Sequence, residues 1–312
     1  LAAAGLLALL SLSSCVPALH SREARSDTPP TYPSAAKDTT DVAALPWQQF
    51  FTDPDLRALI DTALVNNQEL NVMVQEIEAA RAEVRARKGE YLPFIDLGAA
   101  AGVEKVGEYT RNGAVEHQLP VREDQAFPEP VPDLLVNMRA SWELDIWKKL
   151  RNARKSAMLR YLGTVEGRNF MVTHLVAEIA NSYFELMALD NQLDILRANI
   201  AIQQDALEVV KLEKQAAKAT ELAVRRFEAE VLKNQSDLFD IQQRITETEN
   251  RINFLVGRFP QPVKRNSAGF QSLFPDGIAA GIPAQLLAHR PDIRQAELEL
   301  EAARLDVQAA QA

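Results

Sequence analysis

Residues 134–147 read LLVNMRASWELDIW, and their spacing decides the fold. Leu134, Val136, Met138, Ala140, Trp142, Leu144 and Ile146 fall on one face; Asn137, Arg139, Ser141, Glu143 and Asp145 fall on the other. Period-two alternation over fourteen residues predicts a strand longer than the usual length of about 5–6. A membrane-crossing strand takes about 9–11 residues, with an apolar face toward lipid, a polar face toward the lumen, and aromatics near the interface. Trp142 and Trp147 suit such an interface. A half-buried strand of a soluble sheet alternates in the same way, so the strand alone leaves both readings open. Upstream, Phe94 to about Val106 (FIDLGAAAGVEKV) is a weaker strand, rich in Gly and Ala. The polar stretch Gly107–Pro132, ending in AFPEPVP, reads as an exposed loop, so residues 93–147 form a β-hairpin.

Downstream the pattern changes. No proline occurs between Pro132 and Pro260, and before Gly257 only Gly163 and Gly167 interrupt the run. Nothing there strongly breaks a helix. Apolar residues recur every seventh position at Val165, Val172, Ile179, Leu186, Leu193, Ile200 and Leu207, with Leu175, Leu189, Leu196 and Val210 three places after several of them. A second series runs Val224, Val231, Leu238, Ile245 and Ile252, joined by Phe227, Ile241 and Leu255. Such heptads predict a coiled coil with left-handed supercoiling. Continuing the first series would reach Lys214, Glu221 and Glu228, so the register breaks between Gln215 and Glu221. Residues 148–257 are therefore expected to form a hairpin of two long helices. The first spans roughly Lys148–Leu212, and the second closes at Gly257 as a left-handed cap.

The amino terminus reads as an address. Residues 1–14 (LAAAGLLALLSLSS) look like part of a signal peptide, too short to span a bilayer. Leu12-Ser13-Ser14-Cys15 resembles a bacterial lipobox, in which the cysteine carries acyl chains and anchors the protein. Val16, where such lipoproteins carry Asp for inner-membrane retention, points by that resemblance to the outer membrane. Residues 15–46, rich in Pro, Ser, Thr and Asp, read as a tether. Cys15 is the sole cysteine, and His20, His117, His174 and His289 have no ligand spacing, so no metal or cofactor is expected. A net charge of −9 without a dense basic run argues against nucleic acid. The sequence also lacks a phosphate-cradling loop, a Ser elbow and metal spacing, so no enzymatic role is expected.

Residues 47–92 read as a helical segment, 258–283 as a linker and 284–312 as a second helical start. Leu64, Glu76, Glu78, Ala79, Ala80, Arg81, Val84 and Ala86 recur 223 positions later as Leu287, Glu299, Glu301, Ala302, Ala303, Arg304, Val307 and Ala309. Pro54 and Pro291 occupy alike first-turn positions. This weak repeat, a start at Leu1 and a stop inside helical pattern together read as a fragment holding about one of two repeats.

The order of these motifs resembles the TolC-like outer-membrane factors, in their NodT-type lipoprotein branch. The resemblance rests on Cys15 with its lipobox, Trp47–Leu59 (WQQFFTDPDLRAL), Asn67–Pro93, Ser141–Lys148 (SWELDIWK), Glu178–Asp190 (EIANSYFELMALD) and Leu286–Ala303. It implies a homotrimer whose subunits each give four strands to a shared twelve-stranded barrel, with long helices forming a periplasmic tunnel. It also implies partnership with a periplasmic adaptor and an inner-membrane pump, outer-membrane lipid around the barrel, and efflux through a passive duct. Protein or peptide secretion, and a lipid-anchored scaffold that does not span the membrane, are the alternatives. At the tip, where the family carries Val-Gly-Leu-Arg-Tyr-x-x-Gly, this chain has Val210–Ala217 (VKLEKQAA), so that family contact does not transfer. Thr220 is a candidate cap for the returning helix.

Overall fold

The computed structural model describes Thr28, Pro29 and residues 45–126, 128–272 and 287–312. The leader, Cys15 and most of the tether lie outside the described residues. The architecture below belongs to one unit, Leu45–Asp276 with Arg290–Ala312.

Three helices lead in: α1 (Trp47–Phe50), α2 (Pro54–Asn66) and α3 (Gln68–Glu90). Asp53 caps α2 by accepting from the N–H of Asp55 and Leu56, and Pro54 supplies the pre-set first turn. A break at Asn67, absent from the expected helical segment, separates α2 from α3. Asn67 is extended; its side-chain oxygen accepts from Leu70 N–H (3.0 Å) and its amide donates to the Leu255 carbonyl (2.9 Å). One buried amide thus starts a helix and ties it to a residue 188 positions away.

The rod is α5 (Lys149–Gln215) and α6 (Glu221–Val256). The 67 residues of α5 make it about 100 Å long at about 1.5 Å per residue. The turn falls where the heptads lose register. Ala217 is left-handed there, Thr220 caps α6 by accepting from Ala223 N–H (3.3 Å), and Lys214 pairs with Glu221 across the turn. The core is thickest at the base, where Leu56 and Ile60 of α2 meet Ile179, Tyr183, Leu186, Met187, Ile252 and Val256. Toward the turn it thins to Leu189, Leu193 and Ile241, then to Leu207, Val224 and Val231. Between these apolar layers, Asn234 donates its amide to the Gln203 side-chain oxygen (2.6 Å).

A further helix, α7 (Pro291–Gln311), packs on α5. Gly163 and Gly167 admit it closely, since a Cβ on Gly167 would stand 3.0 Å from the Gln295 side-chain oxygen. Arg294 pairs with Glu166 (3.1 Å), and Arg160 with Asp306. The two segments related by the weak repeat, α3 and α7, therefore both lie against α5.

The exposed loop of the hairpin holds α4 (Arg111–Gln118), capped by Thr110. One expectation needs correction: not all of residues 258–283 are a linker. Val263 is buried and Ser267–Ser272 form a 3-10 turn packed on α5, because ionic partners hold this stretch, as described below.

Gly257 ends α6 at φ 73°, and a Cβ there would collide with the Asn66 carbonyl. Gly257→Ala is expected to lower stability by about 1–2 kcal/mol from backbone handedness alone, more with the collision. Urea unfolding followed by circular dichroism measures this, and an unchanged midpoint contradicts it.

Candidate functional site

Strand β1 (Phe94–Glu104) pairs antiparallel with β2 (Val131–Ser141), from Phe94 opposite Ser141 to Glu104 opposite Val131. Residues directly opposite share a face, so the register sorts the hairpin completely. One face carries Ile95, Leu97, Ala99, Ala101 and Val103 with Ala140, Met138, Val136, Leu134 and Pro132. No polar side chain interrupts it. The other carries Phe94 opposite Ser141, Asp96 opposite Arg139, Gly98 opposite Asn137, Ala100 opposite Leu135, Gly102 opposite Asp133, and Glu104 opposite Val131. Gly98 leaves space that the Asn137 side chain fills. The weak alternation of β1 thus hides a fully apolar face, because its small residues, Ala99 and Ala101, count as apolar only once paired.

That face is bare. Leu134 is 78% exposed, Val136 87% and Leu97 80%. Among the described residues no strand pairs with either outer edge of this two-stranded sheet, an arrangement that a short hairpin in water tolerates poorly.

The strand ends six residues earlier than the alternation suggests, so Trp142, Glu143, Leu144, Asp145, Ile146 and Trp147 belong to neither strand face. The cause lies in the partner: Pro93 precedes β1 and has no N–H to extend the ladder. Beyond Ser141 the chain turns. Trp142 donates its indole N–H to the Tyr91 carbonyl (3.2 Å). Asp145, expected to face a lumen, is buried and accepts from the N–H of Leu150 (3.1 Å) and Arg151 (3.0 Å), while Arg151 Nε also donates to it (3.0 Å). It satisfies the first turn of α5, whose own first-turn neighbour Lys148 is left-handed and makes no side-chain cap. An acidic residue ahead of a basic helix start was the available sign.

All ten expected coil positions lie inside the rod. Ile179, Leu186, Leu193, Ile200, Leu207, Val224, Val231 and Ile252 are buried, and Leu238 and Ile245 half-buried.

The base of the rod carries a polar cluster that no local pattern announces. Arg265 grips Asp190 with two nitrogens (2.6 and 2.8 Å), reaches Glu249 (2.5 Å), and Ser267 adds a third bond to Asp190 (2.6 Å). Burial pushes the Asp190 carboxyl up, but bonds from Arg265 and Ser267 and the guanidinium charge outweigh it, leaving it below its ordinary value. Bonding to Asp190 correspondingly raises Arg265 against the cost of burial. Burial, then the charge and hydrogen bond of Asp53 (3.1 Å), raise the Tyr183 hydroxyl and keep it protonated. Among the described residues no group of side chains could hold a metal ion, and no helix is long and apolar enough to cross a membrane.

An exposed apolar hairpin joined to a helical rod of about 100 Å is the architecture of TolC-like channels. The chain resembles a crystallised membrane protein from Pseudomonas aeruginosa (TM-score 0.77, 23% identity, 94% of this chain and 64% of that one). It equally resembles the open-state MtrE outer membrane channel of Neisseria gonorrhoeae (TM-score 0.77, 22% identity, 96% and 64%). Residues 59–258 match the model of the outer membrane efflux protein family, and the chain belongs to that family. Among relatives, the probable efflux pump outer membrane protein SepC of Pseudomonas putida is 32% identical over 286 residues, covering 90% of this chain and 55% of its own length. The cation efflux system protein CusC of Escherichia coli is 28% identical over 269 residues, covering 85% and 54%. The chain thus spans about half the length of the curated relatives it matches.

The Arg265 cluster has a pH signature. A carboxylate whose folded value is depressed stabilises fully above the ordinary range near about pH 4, and its contribution is lost as pH falls through the folded value. Arg265→Met is expected to cost about 2–4 kcal/mol at neutral pH by stranding Asp190 and Glu249, and to flatten or invert the loss of stability below about pH 4. Denaturation midpoints from pH 7 to 2 check this; an acid slope equal to that of the unaltered protein contradicts it.

Proposed function

We propose that the chain is the first-repeat portion of an outer-membrane channel subunit, the passive exit duct of a tripartite efflux system. The observation that carries this reading is the uninterrupted apolar face of the hairpin, left bare beside an acid- and base-bearing face. Eleven-residue strands extend about 37 Å. Tilted by about 40°, they rise about 28 Å, close to the hydrocarbon thickness of about 30 Å. Ile95, Leu97, Val103, Leu134, Val136, Met138 and Ala140 then face lipid. Asp96, Asn137, Arg139 and Ser141 face the lumen, joined on that side by Asp133.

Closure follows from hydrogen bonding. Unpaired edges are untenable in lipid, so the hairpin pairs with copies of itself. Two hairpins per subunit and three subunits give a barrel of twelve strands, and the rods of a homotrimer continue the bore into the periplasm. A periplasmic adaptor and an inner-membrane pump complete the path. Relatives named for toluene efflux, pyoverdine export and cation efflux match this chain at 32%, 29% and 28% identity, which favours a conduit whose cargo is chosen elsewhere. The protein works without a cofactor and without catalysis. Cys15 bears the covalent lipid, palmitate among its acyl chains, that holds the amino terminus on the outer membrane.

The face assignment is tested by paired substitutions in the full-length protein expressed in a Gram-negative host. Val136→Arg and Met138→Arg put a cation into mid-bilayer at about 2–4 kcal/mol each and are expected to abolish the heat-modifiable trimer, while Asn137→Arg preserves it. Planar-bilayer recording of the trimer should show stable single-channel steps. A monomer without conductance, or equal tolerance of arginine on both faces, refutes the reading. For the anchor, intact-protein mass spectrometry should find acyl mass on Cys15 and none in Cys15→Ser.

A further inference from the structure

Where the hairpin gives way to helix, two features adjoin. The first is apolar and aromatic: Tyr91, Leu92, Phe94, Trp142 and Trp147 are all between 41% and 72% exposed. The second is positive. Residues 83–90 and 143–155 hold eight cations against four carboxylates, in a chain whose formal net charge is −9. All four carboxylates are engaged: Glu83 and Glu90 by Arg87, Glu143 by Lys149, and Asp145 by Arg151. The other five cations, Arg85, Lys88, Lys148, Arg154 and Lys155, are exposed. None forms an ion pair with another described residue.

Their depth matters. Lys88 and Arg85 precede β1 at the end of α3, and Lys148, Arg154 and Lys155 follow the strand end into α5. Measured along the helices, all lie within about two turns, or about 10 Å, of the ends of α3 and α5 that adjoin the hairpin. The polar layer on one side of a bilayer is about 5–8 Å thick, so long basic side chains reach it from there. Aromatics at such a boundary sit at headgroup level.

Resting on the transmembrane reading of the hairpin, we propose that this collar binds the headgroups of anionic phospholipid in the leaflet at the rod end of the hairpin. Phosphate-bearing headgroups without a compensating amine complement five unpaired cations. A zwitterionic headgroup carries its own ammonium and does so poorly. A cluster of four to eight Lys and Arg beside a spanning segment is the pattern through which membrane proteins gather anionic lipid. The tunnel is thereby held at a defined depth, with its first helical turns at the headgroup layer.

The test uses the full-length trimer in which Trp47 and every other tryptophan except Trp142 and Trp147 are replaced by Phe, so that these two report on the collar. It is reconstituted in phosphatidylethanolamine vesicles with a fixed minor fraction of brominated phosphatidylglycerol or brominated phosphatidylethanolamine. Quenching by the brominated anionic lipid is expected to exceed that by the zwitterionic one about threefold at low salt, and the difference should shrink at high salt. Replacing all five cations by Gln should abolish the preference while quenching by either lipid persists. Equal quenching in the unaltered collar overturns the proposal, as does a preference that survives the replacement. Should the fivefold variant fail to assemble, Lys148→Gln with Lys155→Gln decides: an undiminished preference overturns the assignment. Quenching by neither lipid defeats the transmembrane reading itself, which separates that failure from this one.

Discussion

Backbone hydrogen bonding at strand edges governs this molecule. A peptide N–H or C=O left unpaired in hydrocarbon costs several kcal/mol, and a two-stranded hairpin leaves a row of them along each outer edge. The hairpin also presents ten apolar residues on one face, exposed among the described residues. Neither property suits a free-standing domain in water. Both are met if the strands close laterally on further strands while lipid covers the apolar face. In the channel proposed above, the rod carries the bore away from the membrane. Its own stability comes from the heptad seam and the thick base, independent of the sheet.

The base is where helices of different sequence origin are locked together. Asn67 joins the α2–α3 break to the end of α6, Tyr183 joins α5 to the cap of α2, and Arg265 joins the returning segment to both long helices. The apolar layers thin out from there toward the turn at Ala217. Buried, multiply bonded ion clusters are costly to form but strongly directional, and this one fixes the returning segment against both long helices.

The parts of this architecture legible in the sequence were those written in local periodicity. The seven-residue steps from Val165 to Leu207 and from Val224 to Ile252 placed both long helices, and their loss of phase placed the turn. Gly257 and the two first-turn prolines marked helix ends correctly. Illegible were features whose cause lies far along the chain. The end of β2 is set by Pro93 on its partner, not by its own alternation, so Leu144 and Ile146 mimicked a strand. Asp145 looked like one more polar alternate, whereas its partners are helix amides. Residues 258–272 looked like a linker because Asp190 is 75 positions from Arg265. The helix Arg111–Gln118 is too short to show a period.

The Gln203–Asn234 bond inside the coil has one more consequence. Apolar layers are interchangeable: a leucine packs nearly as well one heptad along. An amide does not, because displacement by seven residues would set Gln203 against Phe227 or Ile241 and leave its polar atoms without a counterpart. Such a step shifts the helix ends by about 10 Å. The amide pair therefore penalises any slip of one helix along the other and holds the register in which the turn at Ala217 closes the rod.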